Sequence, residues 1–478
     1  MRMLLRTIIG ASTPAAVITL GALVTMLVPS RSASAQATAT ISFSQYLDRV
    51  MDRNLDLAAT HRDVTAAEAR IQIGARLPDP TISGGLLSFD ISHPTRTELR
   101  TDPGTDGLPL CGLHLGAGGA VVPCRSQLPT VVGAAIDVPI ELGNQQGGRM
   151  DLARVGVTQA GAGVDDAVRV LRGQAGGLWV DALATRLDLE RLRQTLASLE
   201  ALVQMNQTRV TAGAIGDVEL VQSRVEAQMF RSQVLRADGA ATAALVGLAA
   251  LLTTDDGVDP SFTPTGDLAM DPVTFDLQHL VDQAMANRPD LRRVQLDIEV
   301  ARAARRLAEA QRWGTIDVMA SWLYSVPGID TQYGQSDYHA VGLMLAIPIP
   351  FRLLWHGEID EANAMESAAD ARYQQARQRL EVEIRQALTV YNAAVQARAL
   401  FDASVIADAE HVLEATRYQY EHGGASLVAV LVAQRTVNDV YGAYNAALTA
   451  HAHALVDVET SAGIWDVDFD DTVAPTPP

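Results

Sequence analysis

Lysine is absent from this sequence. All 37 basic residues are arginines, and 56 acidic residues give a net charge of −19. An acidic chain is a poor partner for nucleic acid, because phosphate binding needs concentrated positive charge. The sequence also has no nucleophile elbow, phosphate-binding loop or metal-binding helix motif. We therefore expect neither an enzyme nor a nucleic-acid-binding protein, and no cofactor or metal site.

Cysteine is nearly absent. Cys111 and Cys124 lie in one glycine-rich, polar stretch at 102–129. In an exported protein, two cysteines this close most simply form a disulfide that holds a surface loop. Free thiols or a metal-binding pair are the alternatives.

Long apolar runs are scarce, although 48% of the residues are hydrophobic. The exception is an apolar region at 15–28, which follows Arg2 and Arg6 and precedes small residues at 33–37. This order is typical of a secretory signal, so residues 1–35 are predicted to be a signal peptide. The composition does not favour a polytopic helical membrane protein.

Proline is missing from 145–211 and from 357–421. At 1.5 Å per residue, each stretch predicts a helix of roughly 100 Å. Apolar residues recur in both at the 3,4 spacing of a coiled coil; they are Leu189, Leu192, Leu196, Leu199 and Val203 in the first, and Ile384, Leu388, Tyr391 and Val395 in the second. Glycines at 213 and 423–424 end these helices, and a helical pattern returns after each. Two long antiparallel hairpins are predicted, with Asp217 as the cap of the first returning helix.

The two hairpins belong to a tandem repeat. Asn54-Leu55-Asp56-Leu57 matches Arg288-Pro289-Asp290-Leu291, and Thr81-Ile82 matches Thr315-Ile316 at the same offset. The predicted organisation is a first repeat at 41–252, a linker at 253–274, a second repeat at 275–464 and a tail at 465–478. The first repeat is longer by the cysteine-containing loop.

Each repeat also carries two stretches of alternating apolar residues, which predict strands. They run through Leu87, Phe89 and Ile91, from Val132 to Leu142, from Ile316 to Val326, and from Val341 to Phe351. About ten residues suffice for a tilted strand to cross a bilayer. Trp322, Tyr324 and Tyr338 fit either an interfacial aromatic band or a buried sheet face. Four strands cannot close a barrel in lipid, so several copies must share one.

This arrangement resembles the TolC-type outer membrane efflux family over about 43–464. The resemblance is carried by the duplicated element order, the matched tetrapeptides, the Pro-Ile strand ends and the glycine turns. It implies a mainly α protein with membrane strands: a homotrimer with a twelve-stranded barrel in the outer membrane and an α-helical tunnel in the periplasm. It further implies docking on a periplasmic adaptor and on an inner-membrane pump of the RND or ABC type.

The motif Pro139-Ile140-Glu141-Leu142-Gly143 is similar to the CzcC-like branch of that family, which implies export of heavy-metal cations. The same channel serving drug efflux or type I protein secretion is an alternative. A structural coiled-coil protein of the cell envelope is the alternative from another class. It does not explain paired strands at matched positions in two repeats.

Candidate functional residues cluster at the two turns. Asp217 and Glu219 follow the first turn, where a ring of carboxylates would favour cations, although a helix cap is equally good for Asp217. By resemblance, the second hairpin supplies a constriction that is apolar here, and the glycine turns meet the adaptor. The constriction residues are Val428, Val430, Leu431 and Ala433, and the adaptor-contacting residues are Gly213, Ala214, Gly423 and Gly424. His451 and His453 point to different helix faces and make a poor metal pair.

Overall fold

A computed structural model describes residues 39–87, 114–115, 121–122, 130–252, 261–326, 338–349, 356–401, 403–467 and 469. The chain divides into two units, Met1–Ala39 and Thr40–Pro478, and apart from Ala39 everything below belongs to the second. The predicted signal peptide at 1–35 and the cysteine pair, Cys111 and Cys124, lie outside the described residues.

Two long helical hairpins make up most of the described chain. The first consists of α3, Gln145–Thr211 with 67 residues, and α4, Asp217–Ala250. The second consists of α7, Gly357–Ala399, then α8, Ala403–Glu421, and the returning α9, Leu427–Ala462. The spaced apolar residues are turned inward, as shown by the burial of Leu189, Leu199, Ile384 and Leu388. The predicted mainly α fold with paired long hairpins is confirmed.

The second hairpin differs from the prediction in one respect. The helix expected to run unbroken over 357–421 is interrupted between α7 and α8. The amide of Leu400 bonds to the carbonyls of Ala397 and Arg398, which tightens the last turn and ends the helix. Arg398 donates to the carbonyl of Met270, and the Phe401 ring lies 6.4 Å from that of Tyr444. These side-chain contacts favour the interruption.

Four shorter helices precede the sheet strands: α1, Phe43–Arg53, and α2, Leu55–Ala75, in the first half, and α5, Leu277–Asn287, and α6, Pro289–Gln311, in the second. The amphipathic pattern of 43–76 favours a single helix, but the helix is broken at Asn54, which is extended at φ −67° and ψ 124°. Its side chain accepts from Leu57 N and donates to Leu251 O. Arg288 has nearly the same backbone, φ −68° and ψ 120°. The matched tetrapeptides are thus equivalent helix junctions.

Eight strands are described: β1 Ala39–Ile41, β2 Thr81–Leu87, β3 His114–Leu115, β4 Val121–Val122, β5 Thr130–Glu141, β6 Phe262–Pro264, β7 Thr315–Val326 and β8 Tyr338–Ala346. An antiparallel sheet has the order β2-β5-β7-β8. Its first strand begins earlier than the predicted one, whose Phe89 and Ile91 lie outside the described residues. β8 ends at Ala346, before the Ile347 and Ile349 of the predicted strand, whose Phe351 lies outside the described residues. The twelve-stranded barrel stays a prediction.

None of the helices in the described ranges combines the length and the apolar character needed to cross a membrane.

The main hydrophobic core is formed by α1, α3, α5, α7 and α9: α1 and α9 pack on α3, and α5 packs on α7 and α9. Trp179 is fully buried, with its ring 5.4 Å from Phe43 and 5.2 Å from Tyr46. The hydroxyl of Tyr46 donates to Leu248 O at 3.0 Å. These contacts join α1 and the end of α4 to the middle of α3.

An ionic cluster joins α6, α7 and the end of α9. The guanidinium of Arg288, only 4% exposed, donates to Asp290 at 2.7 Å, to Glu383 at 3.0 Å and to the carbonyl of Ser461 at 2.7 Å. Burial alone would raise the pKa of Asp290, but the hydrogen bond and charge of Arg288 hold this pKa below its ordinary value. Three elements are therefore tied through one buried cation.

Candidate gate at the hairpin tips

Each hairpin turns through one glycine with positive φ. At the first tip Gly213 has φ +68°, and Ala214 N donates to Arg209 O at 2.8 Å. At the second tip Gly423 has φ +79°, and Gly424 N donates to Gln419 O at 2.7 Å. In both turns, the helix therefore ends at a glycine with left-handed backbone, and the amide of the next residue donates a hydrogen bond to a carbonyl in the last helical turn. Gly424 has no positive φ, so Gly423 is the structural equivalent of Gly213.

The tip glycines give a matched pair of variants. We expect Gly423→Ala to destabilise the second tip by roughly 1–2 kcal/mol, because a Cβ is strained at left-handed φ. Gly424→Ala should have little effect, since the added Cβ would meet Gln419 O at 3.5 Å, an ordinary contact. Hydrogen exchange of the amides at the ends of α8 and α9 measures the difference. Equal loss of protection in both variants would contradict the assignment.

A buried polar cluster, which we call the tip cluster, joins the two hairpins behind these turns. It consists of Asn206 and Arg209 on α3, Glu219 on α4 and Tyr420 on α8. The Tyr420 hydroxyl lies 2.8 Å from Asn206 Oδ1 and 3.0 Å from Glu219 Oε2. Asn206 is fully buried and Tyr420 is 3% exposed. The tip cluster is therefore a side-chain link from α8 to both helices of the first hairpin.

Charge strengthens this link. Arg209 stacks over the Tyr420 ring at 5.0 Å and donates to the Tyr420 carbonyl at 3.1 Å. Burial, reinforced by the hydrogen bond to Glu219 and its charge, raises the pKa of Tyr420 to about 12. The phenol therefore keeps its proton at any physiological pH. This proton serves one acceptor at a time, either Asn206 or Glu219.

An apolar layer lies beside the tip cluster. Leu202, Tyr420, Leu427 and Val430 form its buried centre, with Leu431 and others partly buried around them. Val430 is 3% exposed and Ala433 is 6% exposed, so both pack inside the chain. Their predicted role as constriction residues does not agree with this burial, because a channel lining must face open space.

The other predicted entrance residues are more accessible. Asp217 is exposed and Val428 is 57% exposed, whereas Glu219 and Leu431 are half-buried. The N-cap of α4 is Gly216, so the predicted cap role of Asp217 is wrong; this residue opens the first helical turn. Glu219 accepts a hydrogen bond in the tip cluster. The pore role of these side chains stays a prediction.

The sequence carried one signal for the tip cluster. The coiled-coil spacing that passes through Leu199 and Val203 reaches Asn206 next and Val210 after it. A polar residue at such an inward position often fixes register at some cost in stability. Tyr420 and Arg209 carry no comparable signal, since each becomes recognisable only when the hairpins are brought together.

Further polar contacts tie the hairpins above the tips. Arg435 on α9 binds Glu226 on α4 through two hydrogen bonds of 3.1 and 2.8 Å, and Glu226 is 8% exposed. Asn438 on α9 accepts from Arg191 and Thr195 on α3. A planar guanidinium paired in this bidentate way is geometrically selective, so these contacts fix the axial register of the two hairpins.

The sheet lies at the opposite end of α3 from the tip, and its two faces differ. Strand pairing puts Ile82, Ile136 and Ala320 on one face, with Val138, Val318 and Leu345 beside them. This face is apolar and open, as the exposures of 82% for Ile82, 84% for Val341 and 81% for Leu343 show. Thr81, Ser83, Asp137, Asp317 and Ser321 fall on the other face.

Aromatic rings lie on the apolar face near its end farthest from the helices. Trp322, Tyr324 and His339 stack on one another with centroid distances from 4.8 to 6.4 Å. Trp322 is 43% exposed, so this stack is not the interior of a packed core. Such amphipathic rings suit a boundary between apolar and aqueous surroundings.

Residues 280–463 match the outer membrane efflux protein family. This segment contains α6, the strands β7 and β8 and the second hairpin. It includes Tyr420 of the tip cluster but none of its partners on the first hairpin. No curated protein matches the sequence.

Solved structures extend the likeness to most of the chain. A membrane protein from Pseudomonas aeruginosa aligns at TM-score 0.64 and 19% identity, covering 88% of this chain and 92% of its own. The CmeC outer membrane channel of Campylobacter jejuni aligns at 0.62 and 18%, covering 88% and 85%. The MtrE outer membrane channel of Neisseria gonorrhoeae, solved in its open state, aligns at 0.60 and 15%, covering 88% and 89%. The chain therefore has the fold of these outer membrane channels.

Proposed function

We propose that three copies of this chain form an outer-membrane channel that conducts substrates out of the periplasm as part of a tripartite efflux system. The observation that carries the proposal is a sheet with one open apolar face, joined in one chain to two helical hairpins, of which the helix α3 alone extends over roughly 100 Å. The fold shared with outer membrane channels and the family match over 280–463 support it.

The sheet supplies the reason for an assembly. β2 and β8 are its edges, and their unpaired backbone groups cannot remain in lipid. Joining β8 of one copy to β2 of the next would remove these edges and turn the apolar face towards lipid. Three copies with four strands each would give the twelve-stranded barrel, and their hairpins would continue it as a tunnel.

The tips supply the proposed contact with other proteins. Gly213, Ala214, Gly423 and Gly424 are exposed at the far end of the hairpins. We infer that these turns meet a periplasmic adaptor, which connects the channel to an inner-membrane pump of the RND or ABC type. Asp217 and Val428 are exposed beside the turns and are our candidates for the channel entrance.

Heavy-metal cations are the proposed substrate, on the resemblance of the motif at 139–143 to the CzcC-like branch. Drug efflux and type I protein secretion use channels of the same kind and are the alternatives. A purely structural coiled-coil envelope protein is the rival from another class. This alternative does not account for the open apolar face of the sheet.

Two experiments test the proposal. Membrane fractionation followed by mass measurement of the detergent-extracted protein should find it in the outer membrane at three times the chain mass. Gene deletion should then lower resistance to cadmium, cobalt, zinc or copper, and the full-length gene should restore it. Drug sensitivity or lost protein secretion with normal metal resistance would point to an alternative cargo, whereas a monomer without sheet signal would contradict the channel itself.

A further inference from the structure

A cavity of about 150 Å³ lies between α3, the junction of α5 and α6, and the end of α9. A Cβ on Gly173 would lie 2.8 Å from Thr460 Oγ1, and one on Gly176 would lie 3.1 Å from the Trp465 ring, so these glycines let the end of α9 approach α3 closely. The walls of the cavity include Val168, Arg169, Arg172, Thr460, Ile464 and Trp465. None of its described lining residues belongs to the tip cluster or to the sheet.

Two polar atoms of these lining residues are buried without a hydrogen-bond partner in the described part of the chain. They are Nε of Arg172, which is a donor, and Oγ1 of Thr460, which both donates and accepts. The neighbouring Arg169 differs, because it binds Asp166 at 2.8 Å and the carbonyl of Thr460 at 3.2 Å. Leaving a buried polar group unpaired is costly, so a bound molecule is expected where such groups meet a cavity.

The rest of the wall indicates what kind of molecule fits. Val168, Ile464 and Trp465 supply apolar surface beside the two polar atoms. A cavity of roughly this volume holds a body the size of benzene. Water would satisfy the two polar atoms, but it would gain nothing from the apolar wall. A molecule with one anionic end and one apolar end uses both parts of the lining.

One carboxylate, that of Asp165, is also among the described lining residues. Asp165 is exposed and precedes Arg172 by seven residues on α3, which corresponds to about 10 Å along the helix axis. Solvent and salt screen an exposed charge over such a distance. Asp165 therefore weakens the attraction of Arg172 for an anion only slightly.

We propose that this cavity binds a small organic acid. Its carboxylate accepts hydrogen bonds from the Arg172 guanidinium and the Thr460 hydroxyl, and its apolar body lies against Val168, Ile464 and Trp465. Hydrogen bonds between a guanidinium and a carboxylate are among the strongest in proteins, which gives this site its preference for an anion. The site is built within one chain, so the inference does not depend on the proposed channel.

Titration of the detergent-extracted, full-length protein with 4-fluorobenzoate, followed by fluorine NMR, tests this. We expect saturable binding with a Kd on the order of 1 mM, above the partition measured with protein-free micelles. Arg172→Gln should weaken this binding at least about tenfold, because it removes a charge-assisted hydrogen bond. The neutral analogue 4-fluorobenzamide should bind the wild type at least about tenfold more weakly than 4-fluorobenzoate does.

Arg193→Gln is the matched control, since Arg193 lies on the same helix but is 59% exposed and pairs with Asp238. It should bind 4-fluorobenzoate like the wild type. Thr460→Val is a second, nearly isosteric variant and should weaken binding about threefold. Binding no greater than that to protein-free micelles would overturn the inference. Equal affinity of the wild type and both cavity variants would also overturn it, as would equal affinity of the wild type for the benzoate and the benzamide.

Discussion

Tyr420→Ala is expected to release the second hairpin from the first at the tips. The substitution removes a buried aromatic ring, which typically costs about 3–5 kcal/mol. It also leaves Asn206 and Glu219 without the hydroxyl that bonds them at 2.8 and 3.0 Å. We expect a large loss of hydrogen-exchange protection in α8 and, in planar bilayers, a higher single-channel conductance than that of the wild type.

Tyr420→Phe is the matched variant. It keeps the ring under Arg209 and removes only the hydroxyl, which leaves the buried Asn206 oxygen without its donor, so its expected cost is about 1–3 kcal/mol. A graded effect, with the alanine variant far more open than the phenylalanine variant, would support a gate held jointly by packing and hydrogen bonds. Both variants could instead conduct like the wild type while the alanine variant loses hydrogen-exchange protection in α8. That result would show that the tip cluster does not control the opening of the channel.

Acid is expected to weaken the core through His451. This side chain is fully buried on α9, its ring lies 5.4 Å from that of Tyr391, and neither ring nitrogen has a hydrogen-bond partner among the residues that the structure describes. Burial, with a smaller contribution from the positive charge of Arg398 on α7, lowers the pKa of His451 from 6.5 to about 4. The unfolded chain binds this proton more readily than the folded one. The free energy of unfolding is therefore at its full value above pH 6.5. It decreases as the pH falls towards 4, by about 3 kcal/mol in total.

His451→Leu should remove this part of the pH dependence. The measurement is the unfolding temperature of the detergent-extracted protein between pH 7 and pH 4, with wild type and variant compared at each pH. His453→Leu is the control, because His453 points outward on the same helix and pairs with Asp181 at 2.9 Å. An acid-induced decrease of the same size in wild type and His451→Leu would show that other groups cause it.

Helix positions followed from simple rules. Absence of proline, regular 3,4 spacing and a terminal glycine predicted α3, α4 and α9, because each rule acts within a few neighbouring residues. The breaks at Asn54 and Leu400 did not follow from them. The Asn54 side chain also donates to the carbonyl of Leu251, and the residues around Leu400 contact Met270 and Tyr444. These partners are far away in the sequence, so local rules do not predict the breaks.

The tip was predicted less well for the same reason. The turn glycines were found, and of them Gly213 and Gly423 have the positive φ that requires glycine. Val430 and Ala433 were assigned to a constriction by resemblance, yet both are buried between helices of the same chain. Which apolar residue faces a partner helix and which faces open space depends on how the two hairpins are rotated against each other. The hydrophobic periodicity of the sequence does not specify this rotation.

The cross-links between the hairpins limit how the length of this protein can change. Arg435 must meet Glu226, and Asn438 must meet Thr195, while the four helices keep their shared coiled-coil phase. A single inserted residue in α3 would rotate everything below it by about 100° and misalign each of these pairs. Longer or shorter homologues should therefore differ by whole heptads, gained or lost together in both arms of both hairpins.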